Sequence, residues 1–228
     1  MKKNIVYTAA IIGIILSGCS DYTRELDVLK KIKDHFHATS CLITKGIFDN
    51  HEKSEQKMVK LSLNGINRKD LDDRVVSTAA LLFYQNDTPE VYKYDQIIVS
   101  ASDGSSSFQK SYSIADIKIA ESLWDFPGTN FFKWYASDSI HSILDPMFPD
   151  STLHKINNYM VTIDSSYGKM KNFGLAGWGH SFIRETKEPV LAFYATAING
   201  SYMTDYLICI MPSTKKIANI TILDRPHH

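Results

Sequence analysis

Apolar side chains recur along this chain with two different periods, and the switches between them mark its elements. Leu26, Leu29, Ile32 and Phe36 fall three or four residues apart among charged neighbours, which predicts an amphipathic helix over residues 24–38. Period two takes over at Met58 or Val59, predicting a strand over residues 56–64 that Asn64-Gly65 closes with turn chemistry. Asn67 offers a cap for a second helix, whose broad apolar face is Leu71, Val75, Val76, Ala79, Leu82 and Phe83; Asn86-Asp87-Thr88-Pro89 stops it. Gln96–Ala101 and Phe108–Tyr112 then read as strands about the turn residues Asp103-Gly104-Ser105, so the order from residue 56 is strand, helix, strand, strand.

A helix over Ile114–Leu123 runs into Asp125-Phe126-Pro127-Gly128 and an aromatic cluster, Phe131, Phe132, Trp134 and Tyr135, whose expected role is to fill a core. Residues 113–136 are the expected domain boundary. A short helix around Ser139–Leu144 is followed by the breaks Asp145-Pro146 and Phe148-Pro149. From Asp150 or Ser151, either of which can cap, Leu153, Ile156, Met160, Ile163, Tyr167 and Met170 follow helical spacing, with Gly174 beyond. Four strands should follow: residues 174–183, Val190–Ile198, Tyr202–Met211 and Lys216–Leu223. Asn199-Gly200 suits a type I′ hairpin turn, in which both central residues need positive φ, and Pro212-Ser213-Thr214-Lys215 makes the next reversal.

The N-terminus has a different logic. Lys2 and Lys3 precede the apolar run Ile5–Leu16, which is short of the roughly 20 residues that span a bilayer and has the form of a signal peptide. Leu16-Ser17-Gly18-Cys19 closes that run and resembles the lipobox of bacterial lipoproteins. The resemblance implies cleavage before Cys19, a diacylglyceryl group on its sulfur and usually a third acyl chain on the new amino terminus. Each buried methylene contributes about 0.8 kcal/mol, so two or three chains anchor firmly where one would hold only marginally. Ser20, in place of an acidic residue, favours the outer membrane by resemblance to enterobacterial sorting. The expected organisation is a signal peptide (1–18), a lipidated tether (19–23), an N-terminal α+β region (24–136) and a C-terminal α+β region (137–228), held at the cell envelope.

The helix closed by Tyr167-Gly168-Lys169 and Gly174, with four strands ending in Lys215-Lys216-Ile217-Ala218-Asn219-Ile220, resembles the cystatin-like and NTF2-like α+β roll over roughly residues 137–223. The expected fold class is α+β, with helices packed on curved antiparallel sheets. The resemblance implies a sheet wrapped round a helix, leaving a cone whose open end holds a ligand, catalytic residues or a partner. Fold alone does not choose among these.

Composition narrows the choice. The chain has 44% hydrophobic and 22% charged residues and balances 25 basic against 25 acidic; losing Lys2 and Lys3 with the signal leaves 23 against 25. That is ordinary globular usage with no basic surplus to attract nucleic acid. Asp34, His35, His37 and His51-Glu52 do not form a metal set, because His35 and His37 would lie about 200° apart on a helix. Cys41 and Cys209, the pair left after Cys19, are either one disulfide, in keeping with export, or buried free thiols. No nucleophile elbow, phosphate loop, dinucleotide fingerprint or zinc-protease helix is present, and no cofactor is expected.

Gly177-Trp178-Gly179-His180-Ser181 is the most unusual stretch of the mature chain. Two glycines in a strand mark a bulge or a close backbone approach. As a candidate pocket, Trp178 would form a floor and His180 a base oriented by Asp205. With Asn199-Gly200 as a two-residue loop, Asp205 would lie across from Tyr194 and share a face with Leu207, Cys209 and Ala192. The reading preferred from sequence is a membrane-anchored, non-catalytic module that binds a small ligand or another protein. The alternatives are an NTF2-like hydrolase or isomerase using His180 and Asp205, and a periplasmic immunity or enzyme-inhibitor lipoprotein. The lipobox is tested directly: cells fed labelled palmitate should label the mature chain, and Cys19→Ser should abolish the label and release the protein from the membrane fraction.

Overall fold

The computed structural model describes residues 23–50, 53–86, 93–125, 138–184 and 186–223. The lipobox, His51-Glu52, the aromatic cluster at 131–135 and His227-His228 lie outside them. The fold is mixed α+β with two four-stranded sheets. By contacts the chain divides into two units, one of residues up to Leu71 with Ala79–Ile114, the other of Asp72–Thr78 with Ala115 onward. One division falls at Ile114/Ala115, within the 113–136 stretch; the helix after it buries Ile117, Ala120 and Leu123 and leads to Trp124, which packs on Phe173 and Phe193.

The first unit opens with α1 (residues 23–35), then β1 (Ser40–Asn50), β2 (Lys53–Asn64), part of α2 (Asp73–Asn86), β3 (Gln96–Ser102) and β4 (Ser107–Ser113). Strand β1 has no counterpart in the periodicity reading: Cys41 and Ile43 alternate with Leu42, which is exposed, so apolar residues occupy both faces. The sheet order is β1-β2-β3-β4. Its β2–β3 pair is parallel, which corrects the expectation of wholly antiparallel sheets. The intervening α2 explains it, since a helical crossover returns the chain to the same end of the sheet, as parallel pairing requires. Val59, Leu61, Leu63, Ile97, Val99 and Ala101 are fully buried, as are Ile32 of α1 and Phe83 of α2. Arg24 and Lys31 of α1 bond the backbone oxygen and side chain of Asn86 at 3.4 and 3.2 Å.

Asn67 caps a single 3-10 turn, Arg68–Asp70, and not α2 itself. The start of α2 is set by Asp72, whose Oδ1 accepts from the Arg74 backbone N–H at 2.8 Å. The turn at 103–105 forms as its residues suggest: Asp103 Oδ1 accepts from the N–H groups of Ser106 and Ser105, which hold its carboxyl below the usual range.

The second unit contains Asp72–Thr78 of α2, α3 (Ile114–Leu123, from Ala115), the 3-10 turn Asp138–Ser142, α4 (Asp150–Tyr167) and the strands β5 (Met170–Phe182), β6 (Pro189–Asn199), β7 (Tyr202–Met211) and β8 (Lys216–Leu223). The four strands form an antiparallel meander in sequence order. One face of it, carrying Phe193, Ala195, Ala197, Tyr206 and Ile208, is buried, and the Tyr206 hydroxyl donates to Met160 Sδ of α4 at 2.8 Å. On α4 the buried residues are Leu153, Ile156, Met160 and Ile163; Tyr167 is exposed and Met170 already starts β5.

Helix α4 is not capped by Asp150 or Ser151. Pro149 occupies the cap and its carbonyl takes the N–H groups of Thr152 and Leu153. The far end stops at Gly168, inside the expected Tyr167-Gly168-Lys169 closure and ahead of Gly174, because Gly168 reaches φ 88° and its N–H returns to the Asp164 carbonyl. Asn199 is also moved. It is 2% exposed and pairs with Tyr202, leaving Gly200-Ser201 as the turn. Its Nδ2 donates to Asp164 Oδ1 at 2.9 Å and to the Gly168 carbonyl at 3.0 Å, so the hairpin grips the end of α4. Gly200 completes the grip with φ 59° and no side chain, since a Cβ there would stand 2.5 Å from the Tyr167 carbonyl oxygen. Asn199→Ala removes both bonds, whose acceptors on Asp164 and Gly168 are on exposed residues and can turn to water, and should cost about 1–2 kcal/mol, seen as a lower denaturant midpoint at unchanged slope.

Candidate functional site

The Gly-Trp-Gly-His stretch lies at the edge strand β5, and the first of its glycines, Gly177, answers to crowding. The register slips between Leu175 and Gly177, the bulge that a glycine-bearing strand suggested. Opposite it, residues 72–78 come so close that a Cβ on Gly177 would meet Arg74 Cβ at 2.6 Å and its Cα at 2.7 Å. Ser77 uses this approach. Its Oγ accepts from the Trp178 backbone N–H and its carbonyl accepts from the Trp178 indole N–H, both at 2.9 Å.

Trp178 is therefore 1% exposed with its polar group satisfied, a core anchor and not a pocket floor. His180 is exposed, and its Nε2 lies 3.7 Å from Asp116 Oδ1 of α3. Asp205 meets a different partner: its Oδ1 accepts from Thr196 Oγ1 at 2.7 Å. The registers place them on opposite faces, since His180 pairs with Leu191 on the Phe193 face and Asp205 with Thr196 on the other. The expected His180–Asp205 pairing is not formed.

Tyr194 and Asp205 do share a face, but one step apart along the strands. The true cross-strand pairs are Tyr194 with Leu207 and Thr196 with Asp205, because the turn is centred one residue later than Asn199-Gly200. Arg74 covers this face with its guanidinium 5.9 Å from the Tyr194 ring centroid. It is bound to Asp72 through Nε at 2.6 Å and Nη2 at 2.5 Å. The Asp72 hydrogen bond, with further support from the charges of Asp72 and Asp205, raises the Arg74 pKa against the opposing effect of burial. Trp178, Tyr194 and Asp205 thus serve the docking of residues 72–78 on the sheet, while His180 faces α3.

A concavity of about 560 Å³ lies elsewhere in the second unit. Phe182 and Ile183 at the end of β5, Val190 of β6, Cys209 and Met211 of β7, and Met147 before α4 supply most of its apolar wall. Asp145, Arg184 and Glu188 bring charge to it. Met147 is 86% exposed and Phe182 60%, both unusually open for such side chains. The β5–β6 hairpin is fixed by Ile183 N–H to the Glu188 carbonyl at 2.9 Å and Lys187 N–H to the Ile183 carbonyl at 2.8 Å. No local motif announces this site; its residues are drawn from three separate segments, 145–149, 182–190 and 209–219.

Cys41 and Cys209 are both free thiols in this structure. They belong to different units, and burial raises both pKa values, that of Cys41 to about 11. Burial and then His37 hold His35 below the usual imidazole range. Among the described residues no group of three or more His, Cys, Asp or Glu side chains is placed to hold a metal ion, and no helix is long and apolar enough to cross a membrane.

The docking of residues 72–78 can be tested apart from any activity. Gly177→Ala should cost about 1–3 kcal/mol by overpacking against backbone that has little room to move. Ser77→Ala should cost less and should accelerate hydrogen exchange at the Trp178 amide specifically. Comparison of the chain with protein-family models, with curated proteins and with solved structures finds no match.

Proposed function

We propose that this chain is a lipid-anchored protein of the bacterial cell envelope that binds a small ligand without transforming it. The observation that carries the reading is the open groove of about 560 Å³, whose volume falls in the range of small-molecule sites and whose wall is largely apolar. Its described lining contains no histidine or serine, and the one histidine–acid combination suggested by the sequence is split between two faces of the sheet. Leu16-Ser17-Gly18-Cys19 supports the membrane address. The succession of α4 and an antiparallel β5–β8 meander supports assigning the second unit to the cystatin-like and NTF2-like rolls, which carry ligands in just such a helix-and-sheet frame.

Native mass spectrometry of the full-length protein, extracted from its own membrane into lipid nanodiscs, tests the proposal. The wild-type chain should carry a bound small molecule, and Met147→Glu, a change at an exposed position with little cost to folding, should lose it. A wild-type chain that is always empty, or a ligand retained equally by Met147→Glu, would count against this groove as the site.

A further inference from the structure

We infer that the groove takes a small amphiphile, with an apolar body and a head that carries no net charge. The inference rests on the binding reading above and deepens it to a ligand class. The body is specified by Met147 and Phe182, whose side chains are exposed, together with Val190 and Met211, which line the groove while being largely buried. Two methionines among these suit a flexible hydrocarbon, because unbranched thioether side chains adapt to the shape beside them.

The head is specified by the described charges at the mouth. Asp145 and Glu188 bring two carboxylates and Arg184 a guanidinium. Lys187 lies beside the wall residue Phe182, with its Nζ 5.2 Å from the ring centroid. Carboxylates and a guanidinium at one mouth offer partners to both ends of a zwitterion. Asp145 is held for this role: its Oδ1 accepts from the Met147 N–H at 2.8 Å, tying a rim charge to a wall residue. The envelope address makes the class reasonable, since amphiphiles are concentrated at a membrane surface.

Cys209 is a built-in reporter, being a part-exposed free thiol in the groove wall, and Cys41 in the other unit is its internal control. The full-length protein in nanodiscs is alkylated with iodoacetamide at a pH of about 9, to offset thiol pKa values raised by burial, and each cysteine peptide is followed by mass. Octyl phosphocholine, octyl glucoside, octyl phosphate and octyltrimethylammonium are compared below their micellar concentrations. The first two should slow Cys209 by a factor of 1 + [L]/Kd, about threefold at twice the Kd, with Cys41 unchanged and the two charged homologues weaker. Glu188→Lys should move the preference to octyl phosphate, and Met147→Glu should abolish protection by all four.

Protection by octyl phosphate or octyltrimethylammonium equal to that by octyl phosphocholine overturns the head-group assignment and leaves the binding reading standing. Equal slowing of Cys41 and Cys209 marks a general detergent effect and overturns the amphiphile class. Protection by none of the four overturns that class as well, while a ligand still seen by native mass spectrometry would keep the groove as a binding site of another chemistry.

Discussion

The groove exists because the chain before α4 is bonded to the edge of β8 at one residue. Ile217 donates its N–H to the Ile143 carbonyl at 2.8 Å and accepts from the Asp145 N–H at 2.9 Å, a short parallel bridge on an otherwise antiparallel sheet. Ile217 and Ile143 are buried, so the bridge is shielded from competing water. The adjacent Lys216 ammonium donates to the Ser142 carbonyl. With Asp145 thus pinned, Met147 and Pro149 are carried to the groove wall, and the proline carbonyl goes on to start α4. One backbone bridge therefore fixes both a wall of the site and the register of the helix that backs the sheet.

The opposite edge of the same sheet is closed by different means. At β5, Ser77 takes up the outward N–H of Trp178, and Gly177 gives the room for it. Open strand edges invite pairing with other chains, and here each edge strand has part of its length occupied by a segment of the same unit. What remains open between them is the face and end of the sheet where Val190, Cys209 and Met211 meet the β5–β6 hairpin. The site is left where the sheet is not needed for its own closure.

Periodicity made most of the second unit legible. The spacing of Leu153, Ile156, Met160 and Ile163 located α4, and the strands after it follow the expected spans closely except at β5, which begins at Met170 because Gly168 ends the helix early. Element boundaries that depend on backbone capping were less legible: Pro149 and Asp72 cap helices where other residues looked better suited, since a cap is chosen by the path of the incoming chain as much as by side-chain chemistry. Strand β1 was hidden by apolar residues on both of its faces, one of them the exposed Leu42. The parallel β2–β3 pair depended on where α2 delivers the chain, which periodicity does not encode.

The candidate site shows a sharper asymmetry. Gly177-Trp178-Gly179-His180 was conspicuous because glycine beside a large aromatic in a strand is rare, and that rarity reported steric crowding: a helix start with no room for a Cβ, and an indole that needed an acceptor. The groove is made of residues that draw no notice singly, methionine, phenylalanine and valine, and becomes visible only when β5, β6, β7 and the segment before α4 are brought together. Local oddity in a sequence marks positions where the backbone has little choice. A binding surface for an apolar ligand asks for ordinary side chains in an unusual exposure, and exposure such as that of Met147 and Phe182 is a property of the fold alone.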